Sequence, residues 1–259
     1  MSVPKTAGLP PPAMVDPNPF TPYPKHGGSP MSLTLGFDVY GTLIDTHGVV
    51  TALSQLMGEA APAFSRTWRA KQLEYSFRRG LMKSYVPFDV CTRQALDFTC
   101  DHLARPLSRK DKDHLMDQYT RLPAFEDVTE GLAAVRDAGH RLFAFSNGRA
   151  QSVDTLLSRA GISHFFQGTV SVDEVGSFKP DPAVYTHFMH RAQSDPAESW
   201  LISSNPFDVL GAISAGMNAA WIRRDTENIF DPWDTVPQIT LTTLADLASE
   251  LETFIQTRS

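Results

Sequence analysis

The sequence predicts an α/β protein, a doubly wound parallel sheet with a helical cap inserted into it. Three observations predict it. Short apolar runs of strand length alternate with helical stretches. Three of those stretches stop at a glycine: Gly139, Gly161 or Gly216. One long segment, residues 46–122, carries helical periodicity with almost no strand signal.

The expected strands are Leu33–Phe37, Arg141–Phe145, Gly168–Val172, Trp200–Ser203 and Ala219–Ile222. Each is rich in buried-type residues, as parallel strands covered on both faces must be. The helix Glu130–Ala138 precedes Gly139, Ala150–Ala160 precedes Gly161, and Phe207–Ala215 precedes Gly216. Glycine just past a helix is a common stop, because it takes a left-handed backbone without strain. The helix Pro182–Ala192 opens with proline in its first turn, where the missing amide costs nothing. Strand–helix repetition of this kind is Rossmann-like.

Residues 46–122 are too many for one crossover helix. Trp68, Leu73, Phe77 and Leu81 fall on or near one helical face. The expected arrangement is a cap over the C-terminal edge of the sheet, where open α/β sheets bind ligands. The Rossmann-like core is then 31–45 together with 123–259. Residues 1–30 hold nine of the 19 prolines and only three charges, Lys5, Asp16 and Lys25. Such a stretch cannot join a helix or a central strand, so a proline-rich extension, disordered or draped on the body, is expected.

Composition narrows the function. With 42% hydrophobic and 20% charged residues, disordered and fibrous classes are excluded. A net charge of −6 argues against a nucleic-acid partner. No run approaches a membrane span, and no secretory signal is legible, so no membrane partner is expected. Cys91 and Cys100 supply neither a disulfide scaffold nor a four-ligand zinc site, and their isolation favours the cytoplasm. His47, His102, His114, His164, His187 and His190 fit no metal-ligand pattern. Neither a metal nor another cofactor is expected.

Polar residues cluster just past four strands: Asp38-Val39-Tyr40-Gly41-Thr42-Leu43, Ser146-Asn147-Gly148, Lys179-Pro180, and Ser203-Ser204-Asn205-Pro206-Phe207-Asp208. Strand ends converge in such a sheet, so these stretches should line one crevice. In this order they resemble the four motifs of the haloacid dehalogenase superfamily. The segment Trp68-Arg69-Ala70-Lys71-Gln72-Leu73-Glu74-Tyr75 resembles the signature of its L-2-haloacid dehalogenases. The resemblance spans roughly residues 33–230.

That resemblance implies roles. Asp38 would be the nucleophile, displacing halide and leaving an ester that water then hydrolyses, with inversion at the substrate carbon. Arg69 would receive the halide, with Asn147 as a second donor. Ser146 would hold the substrate carboxylate, helped by backbone amides of Val39, Tyr40 and Asn147. Thr42 would orient Asp38. Lys179 would keep it ionised. Asp208 would hold Lys179 or activate the water, with Ser203 and Asn205 positioning both. Leu73, Phe88 and Phe207 are candidate pocket walls. Tyr185 is either a pocket residue or a core aromatic. Phe207 stands where many relatives carry tryptophan, which leaves substrate size open.

Position 40 separates two reactions. The superfamily's phosphatases place a second aspartate there to protonate the leaving alkoxide, and this chain has Tyr40. A halide needs no proton. The residues ahead of Asp208 are neutral, which disfavours a divalent cation and phosphoryl transfer. The expected substrates are short 2-haloacids such as haloacetates and L-2-chloropropionate, with fluoroacetate left open. The alternatives are a hydrolase of a related acid such as azetidine-2-carboxylate, a magnesium-dependent phosphatase, and a binding protein without turnover. By resemblance, a homodimer through the cap helices is expected.

Overall fold

A computed structural model describes residues 32–257. The proline-rich extension expected over residues 1–30 lies outside them. Six strands form one parallel sheet: β1 (Thr34–Phe37), β2 (Arg141–Ser146), β3 (Gly168–Ser171), β4 (Ser199–Ser203), β5 (Asn218–Ile222) and β6 (Ile239–Leu241). Their spatial order is β3-β2-β1-β4-β5-β6. The chain therefore winds outward from β1 to one edge, returns, and winds to the other. The strand order reverses at β1 and β4, and the crevice lies past their C-terminal ends.

The side-chain period of two divides the sheet's residues between two cores. Leu35, Leu142 and Trp200 sit side by side in register and face one core, joined by Phe37, Ala144 and Ile202. Phe143, Phe145, Leu201 and Trp221 face the other, against Val184, Tyr185 and Phe188. Gly36 also faces that second core. A Cβ there would stand 2.7 Å from the Phe188 ring, so the central strand is kept free of a side chain at that point.

Nine α-helices cover the described residues. Four lie within residues 46–122: α1 (His47–Met57), α2 (Ala61–Leu81), α3 (Phe88–His102) and α4 (Arg109–Gln118). The others are α5 (Val128–Asp137), α6 (Ala150–Arg159), α7 (Pro182–Ala192), α8 (Pro206–Ser214) and α9 (Leu247–Gln256). Pro182 and Pro206 each open a helix, and Asp181 caps α7 by accepting from the Ala183 amide at 2.9 Å.

The structure corrects three expectations. Strand β6 was not expected, because three residues with only the outer two buried give little periodicity to read. Helix α9 was likewise unforeseen, although Leu247 and Leu251 make a buried i, i+4 pair. On α2, the fully buried seam is Ala61, Phe64, Trp68, Gln72 and Ser76. Leu81, expected on the apolar face, is 86% exposed at the helix end. Arg69, Leu73 and Phe77 form the adjacent stripe, at intervals of four.

Candidate active site

Asp38 follows β1 directly, and its amide donates to the Ile202 carbonyl of β4 at 2.9 Å. The chain then turns sharply at Gly41, whose φ of +83° suits a residue without a Cβ. The turn brings Thr42 back to Asp38, and its hydroxyl donates to Asp38 Oδ2 at 2.9 Å. Thr42 Oγ1 accepts from the Ser204 amide at 2.8 Å, which aims its own proton at the carboxylate. Ser204 Oγ donates to the Gly41 carbonyl at 2.8 Å. Arg224, just past β5, donates to the Thr42 carbonyl from Nη2 at 2.7 Å and pairs with both oxygens of Asp127. Neither Ser204 nor Arg224 was a sequence candidate. Ser204 stands inside a recognised motif, so position was the available signal. Arg224 had none, since its partner lies 182 residues earlier.

Lys179 reaches the other carboxylate oxygen. Its Nζ donates to Asp38 Oδ1 at 3.2 Å, Asp208 Oδ2 at 2.8 Å and the Phe145 carbonyl at 2.9 Å. Three acceptors match the three protons of an ammonium. Burial opposes that charge, but Asp208 and Asp38 outweigh it and hold the lysine pKa above its ordinary value. Burial pushes the Asp208 carboxyl upward, Lys179 pulls it back, Asp38 adds to the rise, and the net direction is up. Tyr185 donates to Asp208 Oδ1 at 2.8 Å. Burial, then Asp208, holds that phenol well above its usual pKa, so it stays a donor.

Asn205 stands at the N-terminal boundary of α8, its own amide donating to Ser203 Oγ at 3.1 Å. Its Nδ2 donates to Asp38 Oδ2 at 2.8 Å, and its Oδ1 accepts from Arg69 Nη2 at 3.4 Å. Arg69 Nη1 donates to Gln72 Oε1 at 3.0 Å. On the β2 side, Ser146 Oγ accepts from the Gly148 amide at 3.0 Å, and Asn147 Oδ1 accepts from the Lys179 amide at 3.0 Å.

A cleft joins these groups. Asp38, Tyr40, Ser146, Asn147, Lys179 and Asn205 line it from the strand ends. Arg69, Leu73 and Phe88 line it from α2 and α3, and Phe207 from the start of α8. Burial raises the Tyr40 phenol to about 12, so this wall presents a neutral hydroxyl. Of the remaining sequence candidates, Thr42, Ser203 and Asp208 lie behind this lining in bonds to its members. The structure does not bring the Val39 and Tyr185 side chains to the cleft. Val39 is packed in the first core, because neighbours on extended chain point to opposite sides. Tyr185 is buried in the second core behind Asp208.

The model of the haloacid dehalogenase-like hydrolases matches residues 34–216. The (S)-2-haloacid dehalogenase of Pseudomonas sp. strain YL is 37% identical over 219 residues, covering 85% of this chain and 94% of that protein. Haloacetate dehalogenase H-2 of Moraxella sp. strain B is 36% identical over 191 residues, covering 73% and 85%. Among solved structures, L-2-haloacid dehalogenase from Xanthobacter autotrophicus with chloropropionic acid covalently bound superposes with a TM-score of 0.80 at 28% identity. It covers 86% of this chain and 99% of that one. A family match over most of the chain and relatives above one-third identity agree with the cleft's chemistry: this chain belongs to the haloacid dehalogenase-like hydrolases.

Proposed function

We propose that this chain hydrolyses short 2-haloacids to 2-hydroxy acids, without a metal, through an ester on Asp38. One observation carries the reading. Asp38 faces the cleft, its two carboxyl oxygens gripped by Lys179, Thr42 and Asn205, opposite the cation Arg69. An Asp38 oxygen attacks the halogen-bearing carbon from one side. The carbon–halogen bond breaks on the other, and the halide leaves with the electron pair. Water then adds to the Asp38 carboxyl carbon, the ester bond breaks, and a proton is released with the hydroxy acid.

The donor set supports the division of labour. Ser146 already accepts from Gly148, so its hydroxyl proton is available to the substrate carboxylate. Asn147 already accepts from Lys179, so its NH2 end is available to the halide beside Arg69. Asp208 has a donor on each oxygen and is sealed from solvent. Of the two roles open to it, holding Lys179 is the one its surroundings favour. A divalent cation wants several hard oxygen ligands, and here an ammonium, a hydroxyl and an amide already occupy Asp38. The segment 46–122 acts as the cap in this reading, closing Arg69, Leu73 and Phe88 over the substrate. A homodimer and a cytoplasmic location belong to the same proposal.

The test is halide release from chloro-, bromo- and fluoroacetate and both 2-chloropropionate enantiomers, with chelator present. Azetidine-2-carboxylate and a generic phosphate ester serve as rivals. Release of halide with chelator, and label from ¹⁸O water entering Asp38 in a single turnover, is the expected result. First-turnover label in the product, or phosphatase activity lost to chelator, overturns it.

A further inference from the structure

We propose that Gln72 is a positioning residue for halide departure, aiming the Arg69 guanidinium into the cleft through a neutral acceptor so that its charge is directed without being cancelled. The proposal rests on the dehalogenase reading above.

Gln72 occupies the buried seam of α2 and is 1% exposed, a place where an apolar residue is the ordinary choice. A buried amide must have its bonds made, and they are made in one direction only. Thr92 Oγ1, on α3, donates its proton to the Phe88 carbonyl at 2.9 Å. It can therefore only accept from Gln72, and Gln72 Nε2 is turned toward it. That leaves Gln72 Oε1 facing Arg69 Nη1 at 3.0 Å. The same logic holds across the cleft. Asn205 Nδ2 is committed to Asp38, so Asn205 Oδ1 faces Arg69 Nη2.

Arg69 is thus gripped between two amide oxygens whose orientations are each set by a second bond. Among the described residues no carboxylate pairs with it, whereas Arg93, Arg121, Arg136 and Arg224 all have one. The consequence is electrostatic. Asp38, Asp208 and Lys179 together carry one net negative charge, and the substrate brings another. A carboxylate at position 72 would orient Arg69 equally well but would cancel the positive charge that Arg69 brings to the cleft. Two neutral amides avoid that, and the cation stays available to the charge that develops on the departing halide.

The experiment compares single-turnover halide release from chloro-, bromo- and iodoacetate in wild type, Gln72→Met, Gln72→Glu and Thr92→Val. Chloride is the poorest leaving group of the three and draws most on Arg69. Gln72→Met should lose about tenfold or more on chloroacetate and much less on iodoacetate. Gln72→Glu should lose more than Gln72→Met on chloroacetate and should weaken inhibition by chloride. Thr92→Val frees the Gln72 amide to turn and should reproduce the halide-dependent pattern in milder form, with the Gln72 side chain still in place. Equal losses across the three halides, with chloride inhibition unchanged in folded variants, would overturn the proposal and leave Gln72 a packing residue. If wild type itself releases no halide, the dehalogenase reading fails instead.

Discussion

Lys179 Nζ and Asp208 Oδ2 are 2.8 Å apart, and both side chains are 99% hidden from solvent. A buried ion pair broken on one side leaves an uncompensated charge. Asp208→Asn keeps the shape and removes the charge. It should destabilise the fold by about 2–4 kcal/mol and lower halide release by about a hundredfold. A denaturant melt beside a halide assay checks both.

The same pair sets an alkaline limit. The folded pKa of Lys179 lies above its unfolded value, so its contribution is fully present below about pH 10.4. It is lost as pH rises through the higher folded value. Wild-type melting temperature should therefore hold from pH 8 to 10 and fall beyond. In Asp208→Asn, with one of the two attracting carboxylates gone, the folded pKa drops toward the unfolded one and the fall should be smaller.

Asp127 predicts an acid limit. Burial would raise its carboxyl, but Arg224, the Leu244 amide and Thr243 hold it below the usual value. Its contribution is present above the unfolded pKa near about 4 and is lost as pH falls through the lower folded value. Asp127→Asn should cost about 1–3 kcal/mol at pH 7 and lessen the loss of stability between pH 4 and pH 2. Melts across that range measure it. Because Arg224 also holds the Thr42 carbonyl, activity should fall as well.

Asp38→Asn should fold and release no halide, since an amide is a poor nucleophile. Circular dichroism and a halide assay on freshly purified protein check this. Sustained release would assign the attack to another group.

Phe207 lines the cleft and meets the Phe77 ring edge-on, centroids 5.1 Å apart. Phe207→Trp adds a second ring to that wall. It should shift selectivity toward haloacetate and away from 2-halobutyrate by about tenfold in the kcat/KM ratio. Phe77→Ala removes the ring that braces Phe207 and should shift selectivity the other way.

Five of the six strands were legible because each carries a short apolar run, and the strand-end part of the site because its residues stand just past those runs. What escaped has physical reasons. Gln72 is polar in a buried seam, so its position says nothing until its partners on α3 and at Arg69 are known. Arg224 acts on a carbonyl, and a backbone group carries no sequence signal. Phe77 was legible as a helix-face residue, but its contact with Phe207 crosses between distant segments. The resemblance put Tyr185 in the pocket and its helix left a core role open, and its burial behind Asp208 makes it a core residue.

Two of the three side-chain bonds that hold Asp38 come from far along the chain: Lys179 is 141 residues away and Asn205 is 167. Contacts of that separation form late, because each closes a long loop before it gives anything back. A chain emerging in order from its N-terminus offers Asp38 only Thr42 until Lys179 and then Asn205 have been made. Acquisition of activity during refolding should therefore track docking of the central strands and lag behind helix formation in α1–α4.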